Sequence, residues 1–115
     1  MNILVKILLS SIAVIIASYL LPGVAVDGFI TAVIVAVLLA LLNSSVKPLL
    51  ILLTIPLTIF TLGLFLLVIN ALIILMADAI VPGFEVHSFW WALIFSLVLS
   101  VINALLTDLS REGQK

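Results

Sequence analysis

Four apolar runs, punctuated by two turns of the same composition, organise this chain. Ile3–Leu21 is apolar but for Lys6 and a few small polar side chains, and Pro22-Gly23 ends it. Phe29–Ser45 follows, slightly short, and is expected to stop at Lys47-Pro48. Gly63–Val81 is the third run, ended by Pro82-Gly83, and Phe89–Thr107 is the fourth. About 20 predominantly apolar residues suffice for a helix to cross a hydrocarbon core of roughly 30 Å. The runs therefore predict four transmembrane helices.

The pattern is written twice, sixty residues apart. Pro22-Gly23-Val24-Ala25-Val26-Asp27-Gly28-Phe29 returns as Pro82-Gly83-Phe84-Glu85-Val86-His87-Ser88-Phe89, and the register holds through Ala32/Ala92, Ile34/Ile94, Leu39/Leu99 and Asn43/Asn103. This predicts one membrane domain, residues 1–115, made of two hairpins in the same orientation. Residues 3–45 form the first repeat, 46–62 a connecting segment, 63–107 the second repeat and 108–115 a polar tail. Lys6 followed by Ile7–Leu21 has the form of a signal peptide. Its counterpart Leu64–Val81 lies mid-chain, however, so a retained helix is expected.

Val46–Leu62 decides the topology. It is apolar, but Pro48 suits the first turn of a short helix, Pro56 is expected to break that helix after about eight residues, and Gly63 adjoins the next. A helix of about eight residues reaches only about 12 Å, so the segment is expected to be re-entrant or interfacial rather than spanning. Charge agrees. With four spans, Lys6, Lys47, Arg111 and Lys115 share one side, while Asp27, Asp78, Glu85 and His87 lie at the other; with five spans the basic residues split two and two. The excess of Lys and Arg on cytoplasmic loops then places both termini inside. Tyr19, Phe29, Trp90 and Trp91 gather at the outer ends, as interfacial aromatics do.

Composition narrows the chemistry. The chain is 67% hydrophobic and 8% charged, against roughly a quarter charged in soluble domains, so lipid is its expected solvent. A net charge of −1 does not suit a nucleic-acid partner, which calls for clustered cations. There is no cysteine and a single histidine, His87, so neither a thiol nucleophile nor a cysteine- or histidine-based metal site is expected. No cofactor and no enzymatic activity are expected.

The remaining polar and small residues fall into patterns. Ala32, Ala36, Ala40 and Asn43 lie on one helix face, and Ala92, Ser96, Ser100 and Asn103 repeat it. Small residues let helices approach closely in lipid, and asparagine can bond across helices. Gly63, Asn70 and Ala77 share a face at heptad spacing. Asn43, Asn70 and Asn103 are read either as interhelical glue or as the lining of a polar path. Thr54, Thr58 and Thr61 form a polar face on the broken segment. This face marks either a binding site, as in transporters, or a wedge whose threonines bond their own backbone. Asp78 is expected to stay hydrated near the outer interface.

The run Leu42-Asn43-Ser44-Ser45-Val46-Lys47-Pro48-Leu49-Leu50, with Leu53-Thr54-Ile55-Pro56-Leu57-Thr58, Leu62-Gly63-Leu64-Phe65, Ile69-Asn70-Ala71 and Val81-Pro82-Gly83-Phe84-Glu85-Val86, resembles the phage holin family, superfamily IV. The resemblance covers roughly Ile3 to Leu106. It implies four transmembrane segments, self-association in the bacterial cytoplasmic membrane and opening of lesions there, with no catalytic residue to carry over. A non-pore structural or stress-related membrane protein, or a small transporter built on the broken segment, are the alternatives. Lipid and further copies of the chain are the expected partners.

Overall fold

A computed structural model describes residues 2–113, with side chains through Leu109. Of the basic residues in the charge argument, Lys115 and the side chain of Arg111 lie outside these described residues. The chain is mostly helical. Helix α1 (Ile3–Leu20) is started by Asn2, whose side chain accepts the Val5 N–H at 2.9 Å. Strand β1 (Val24–Val26) leads into α2 (Phe29–Leu53) and the short α3 (Ile55–Phe60). Then come α4 (Phe65–Ile80), β2 (Phe84–Val86) and α5 (Phe89–Gly113). Helices α1, α2 and α5 are long and apolar enough to cross a membrane, and α4 is a shorter apolar helix.

The two Pro-Gly turns stop α1 and α4 in the same way. A residue before proline is pushed out of the α region, and Leu21 and Val81 are both extended. Each still donates its N–H to an alanine four residues back, Ala17 or Ala77.

The segments after these turns are paired strands, where the hydropathy pattern predicts no element. β1 and β2 run antiparallel, with Val24 opposite Val86, Ala25 opposite Glu85 and Val26 opposite Phe84. Asp27 donates its N–H to the Gly83 carbonyl and His87 donates its N–H to the Gly23 carbonyl, both at 2.9 Å. The two bonds that close the ladder are thus counterparts of each other under the sixty-residue spacing, Asp27 matching His87 and Gly83 matching Gly23. Backbone polar groups beside an apolar bundle need partners, and each strand supplies them to the other. Side chains alternate along β2: Phe84 and Val86 are buried and Glu85 is exposed. Phe84 turns into the bundle against Phe95, ring centroids 5.7 Å apart.

Helix α1 packs against α2 and α5, and α4 packs against α5 and α2, so the four form a ring. Its interior is filled by Val14, Val35, Ile73, Ala77 and Phe95, each essentially inaccessible. Burial repeats with the sequence: Ser11, Ala13, Val14 and Ala17 on α1 match Ala71, Ile73, Ile74 and Ala77 on α4.

Three expectations about the connecting segment and the last helix are corrected. Pro48 does not start a new helix; α2 runs through it to Leu53. Proline there removes the bond to the Ser44 carbonyl and crowds that turn; Ser44 is exposed, so the freed carbonyl is not stranded in a dry core. The break falls at Thr54, because Pro56 has no N–H for the Leu52 carbonyl and its ring crowds that turn; Pro56 sits instead in the first turn of α3. Gly63 precedes α4 rather than starting it. With φ of +87° beside Leu62 at +58°, it makes the left-handed turn that only glycine adopts without cost. Helix α5, expected to end at Thr107, continues to Gly113.

Candidate functional site

A cavity of about 290 Å³ lies between α1, α2 and α5, at the end of the ring away from the sheet. Its polar groups are Lys6 and Ser10 on α1, Asn43 on α2 and Asn103 on α5. Ile7, Val14, Leu39 and Leu99 give it apolar walls, and Ala36 and Ala40 leave the space open. Lys6 and Ser10 share a face of α1 because they are four residues apart, and Ile3, Ile7 and Val14 lie on the same side.

The Ser10 hydroxyl donates to Asn103 Oδ1 at 3.3 Å, tying α1 to α5 across the cavity. It is the one side-chain hydrogen bond between helices of the ring among the described residues. Other hydroxyls are used within their own helices. Ser96 donates to the Leu93 carbonyl at 2.8 Å, Ser100 to Ser96 at 2.9 Å and Ser45 to Leu41 at 2.6 Å. Such bonds satisfy the hydroxyl without joining helices.

The small-residue stripes divide along their length. Ala32, Ala36, Ala92 and Ser96 are buried, whereas Ala40, Asn43 and Ser100 are exposed and Asn103 is half-buried. The sheet-side half of each stripe is contact surface; toward the other end the helices part, and the cavity opens. Asn70 is half-buried on α4 and does not line it.

Two of the three threonines on this face, Thr54 and Thr61, bond to backbone. Thr54 donates to the Leu50 carbonyl at 2.7 Å, and Thr61 donates to Leu57 at 3.0 Å while accepting the Phe65 N–H at 3.2 Å. Thr58 lies 3.5 Å from Thr54, oxygen to oxygen. These residues brace the corner between α2 and α4. Asp78 has a structural task as well: half-buried in the last turn of α4, it accepts the Val86 N–H at a long 3.4 Å. That N–H points away from β1, since Val24 and Val86 form a non-bonded pair of the ladder.

Among the described residues the cavity presents one ammonium, one hydroxyl and two amides, with no carboxylate or imidazole in its lining. It is equipped to bind rather than to transfer protons. No cluster of three or more His, Cys, Asp or Glu able to hold a metal occurs among the described residues. Sequence reasoning used Lys6 only as a topological charge. Its spacing to Ser10 was the available signal for a polar corner on an apolar face.

Long apolar helices in a ring, with Leu4, Leu52, Ile59 and Leu105 exposed on its outside, define a helical membrane-spanning protein. The chain belongs to the mycobacterial four-TMS phage holin family, superfamily IV, whose model matches residues 1–105. It is 38% identical to an uncharacterised protein of Streptomyces coelicolor over 93% of this chain and 97% of that one. It is 36% identical to the uncharacterised membrane protein YvlD of Bacillus subtilis over 89% of this chain and 87% of that one. No solved structure matches significantly.

Proposed function

We propose that this is a holin-like protein of the bacterial cytoplasmic membrane that self-associates there and permeabilises it. In this reading α1, α2, α4 and α5 are four spans, arranged as two repeated hairpins in one orientation. The β1–β2 pairing supports it by joining the turn of one hairpin to the turn of the other at one end. Lys6 and Lys47 then share the opposite face, which the positive-inside tendency assigns to the cytoplasm together with both termini. Helix α4 has 16 residues and reaches about 24 Å. The corner from Thr54 to Leu64 therefore falls at or just within the cytoplasmic boundary, which suits an interfacial or re-entrant segment. Its Ile59, Phe60 and Leu62 are exposed apolar side chains.

One observation carries the need for assembly. The interior of the ring is filled by Val14, Val35, Ile73 and Phe95, so a single copy offers no conducting path. Permeabilisation, which family membership implies, requires a path between copies. Inducible expression with a membrane-impermeant dye tests this: dye entry with growth arrest is expected. Normal growth with dye excluded at high expression selects the second reading, a static non-pore membrane protein. That reading has its own support, because most hydroxyls of the bundle bond within their own helices and leave no polar seam to line a pore. A transporter built on the broken segment has less support, since Thr54 and Thr61 are occupied by backbone.

The orientation has a separate test. Nearby Lys and Arg set topology, and Asp and Glu contribute little. Changing Asp27, Glu85 and His87 together to Ser is expected to leave both termini cytoplasmic in an accessibility assay. An inverted protein would show that the acidic loops set orientation.

A further inference from the structure

We propose that the cavity between α1, α2 and α5 binds the headgroup of one anionic phospholipid, with its phosphate at Lys6. This rests on the reading that the chain spans a membrane with Lys6 at the cytoplasmic boundary. Among the described residues Lys6 is the only charged group in the lining, so those walls give the cavity a positive charge that they do not balance. The amides extend this polarity. Asn103 Oδ1 accepts the Ser10 hydroxyl, an amide orientation assigned from that bond, which leaves the Asn103 NH₂ group free to donate. Lys6 and Asn43, both exposed, and the half-buried Asn103 border one space; ammonium and amide donors there are complementary to an oxyanion, and charge-assisted bonds to phosphate are the strong ones.

The rest of the cavity selects an amphiphile over a soluble anion. Val14 and Leu39 close its inner end with hydrocarbon, and Ile3 both lines it and is 70% exposed, so the mouth is bordered by apolar surface. A volume of about 290 Å³ is near the lower limit of small-molecule sites, roughly 300 Å³. It suits a headgroup and the first methylenes, with the acyl chains running out along the exposed Leu8, on the membrane side of Lys6. Basic pockets between helices on the cytoplasmic side are the usual seats of anionic headgroups. The sixty-residue repeat does not supply a second site, because the counterpart of Lys6 is Leu66. One lipid per chain is therefore expected.

The test is native mass spectrometry of the full chain in detergent with phosphatidylglycerol or phosphatidylcholine. The parent is expected to retain one phosphatidylglycerol per chain in preference to phosphatidylcholine. Loss of a charge-assisted contact is expected to lower that retention about tenfold in Lys6→Gln. Ala40→Leu, which keeps Lys6 but fills the cavity, is expected to lower it as well. Lys47→Gln, a cation outside the lining, is expected to stay within about twofold of the parent. Equal retention by Lys6→Gln and the parent would mean that Lys6 merely extends into water and would overturn the site. Equal loss in Lys47→Gln would reduce the effect to surface charge, and displacement by millimolar glycerol phosphate would make the ligand a soluble anion; either result overturns the proposal. Retention is read on dissolved protein and does not depend on leakage, so a negative dye experiment would refute the pore and leave this site standing.

Discussion

Gly83→Ala is expected to lower the thermal stability of the detergent-solubilised protein. Gly83 has φ of +88°, a conformation that costs an L-residue about 1–2 kcal/mol. A Cβ there would also press into the Asp27 carboxylate, an exposed side chain that must swing aside to make room. Both penalties fall on the bond that closes the ladder, since the Gly83 carbonyl accepts the Asp27 N–H. The sheet clasps α1–α2 to α4–α5, so loosening it should also speed proteolysis at the turns. Asp27→Ala in the Gly83→Ala background is expected to recover the crowding part and not the backbone part. Gly28→Ala is the control, because nothing lies within 4 Å of a Cβ at that position. A Gly83→Ala protein that melts with the parent would show that the sheet contributes nothing to holding the halves together.

Ser96→Leu is expected to cost about 1–3 kcal/mol by overpacking, and Ala36→Leu clearly less. From sequence alone these two positions are equivalent, each the central small residue of its stripe. In the fold both are buried, at 5% and 4% exposed, but only Ala36 borders the cavity. A leucine at 36 can extend into that space, whereas one at 96 must push α5 from its neighbours. No gain offsets the separation, because lipid tails solvate leucine as well as a helix does. Thermal unfolding and crosslinking in detergent measure the difference. Val37→Leu, in an open apolar groove between α2 and the end of α4, is expected to be silent. Equal losses for Ser96→Leu and Ala36→Leu would mean that the cavity does not accommodate the added carbons. If all three variants match the parent, the stripes face lipid instead.

How much of this was legible in the chain depends on the range of the interaction concerned. Helix stops at Leu21 and Val81 could be read, because a proline dictates the conformation of its neighbour whatever surrounds it. Helix-forming runs were legible too, since hydrocarbon thickness and backbone satisfaction act on any apolar segment. The family could be recognised from the order Asn43, Lys47-Pro48, Thr54-Ile55-Pro56 and Gly63. Pro48 shows the limit of this local reasoning: the same ring that sits in the first turn of α3 at Pro56 is carried within α2. The strands were missed because three residues each, Val24–Val26 and Phe84–Val86, are too few to show an alternating period, and the partner of each lies about sixty residues away.

The candidate site divides along the same line. Asn43 and Asn103 were singled out by their place on repeated faces, and the Ser10–Asn103 bond gives one of them a partner. Lys6 was visible as a charge but not as a cavity lining, since that role depends on α5 returning beside α1. The sequence by itself determined the solvent of this protein, its apolar segments and its sixty-residue periodicity, through turn chemistry and hydrophobic length. Only the tertiary structure decided that the two turns lock together, that the ring is filled, and that small residues which pack tightly near the sheet leave a cavity beside Lys6. Those outcomes follow from how far apart two helices stand, which depends on every side chain between them and is written at no single position.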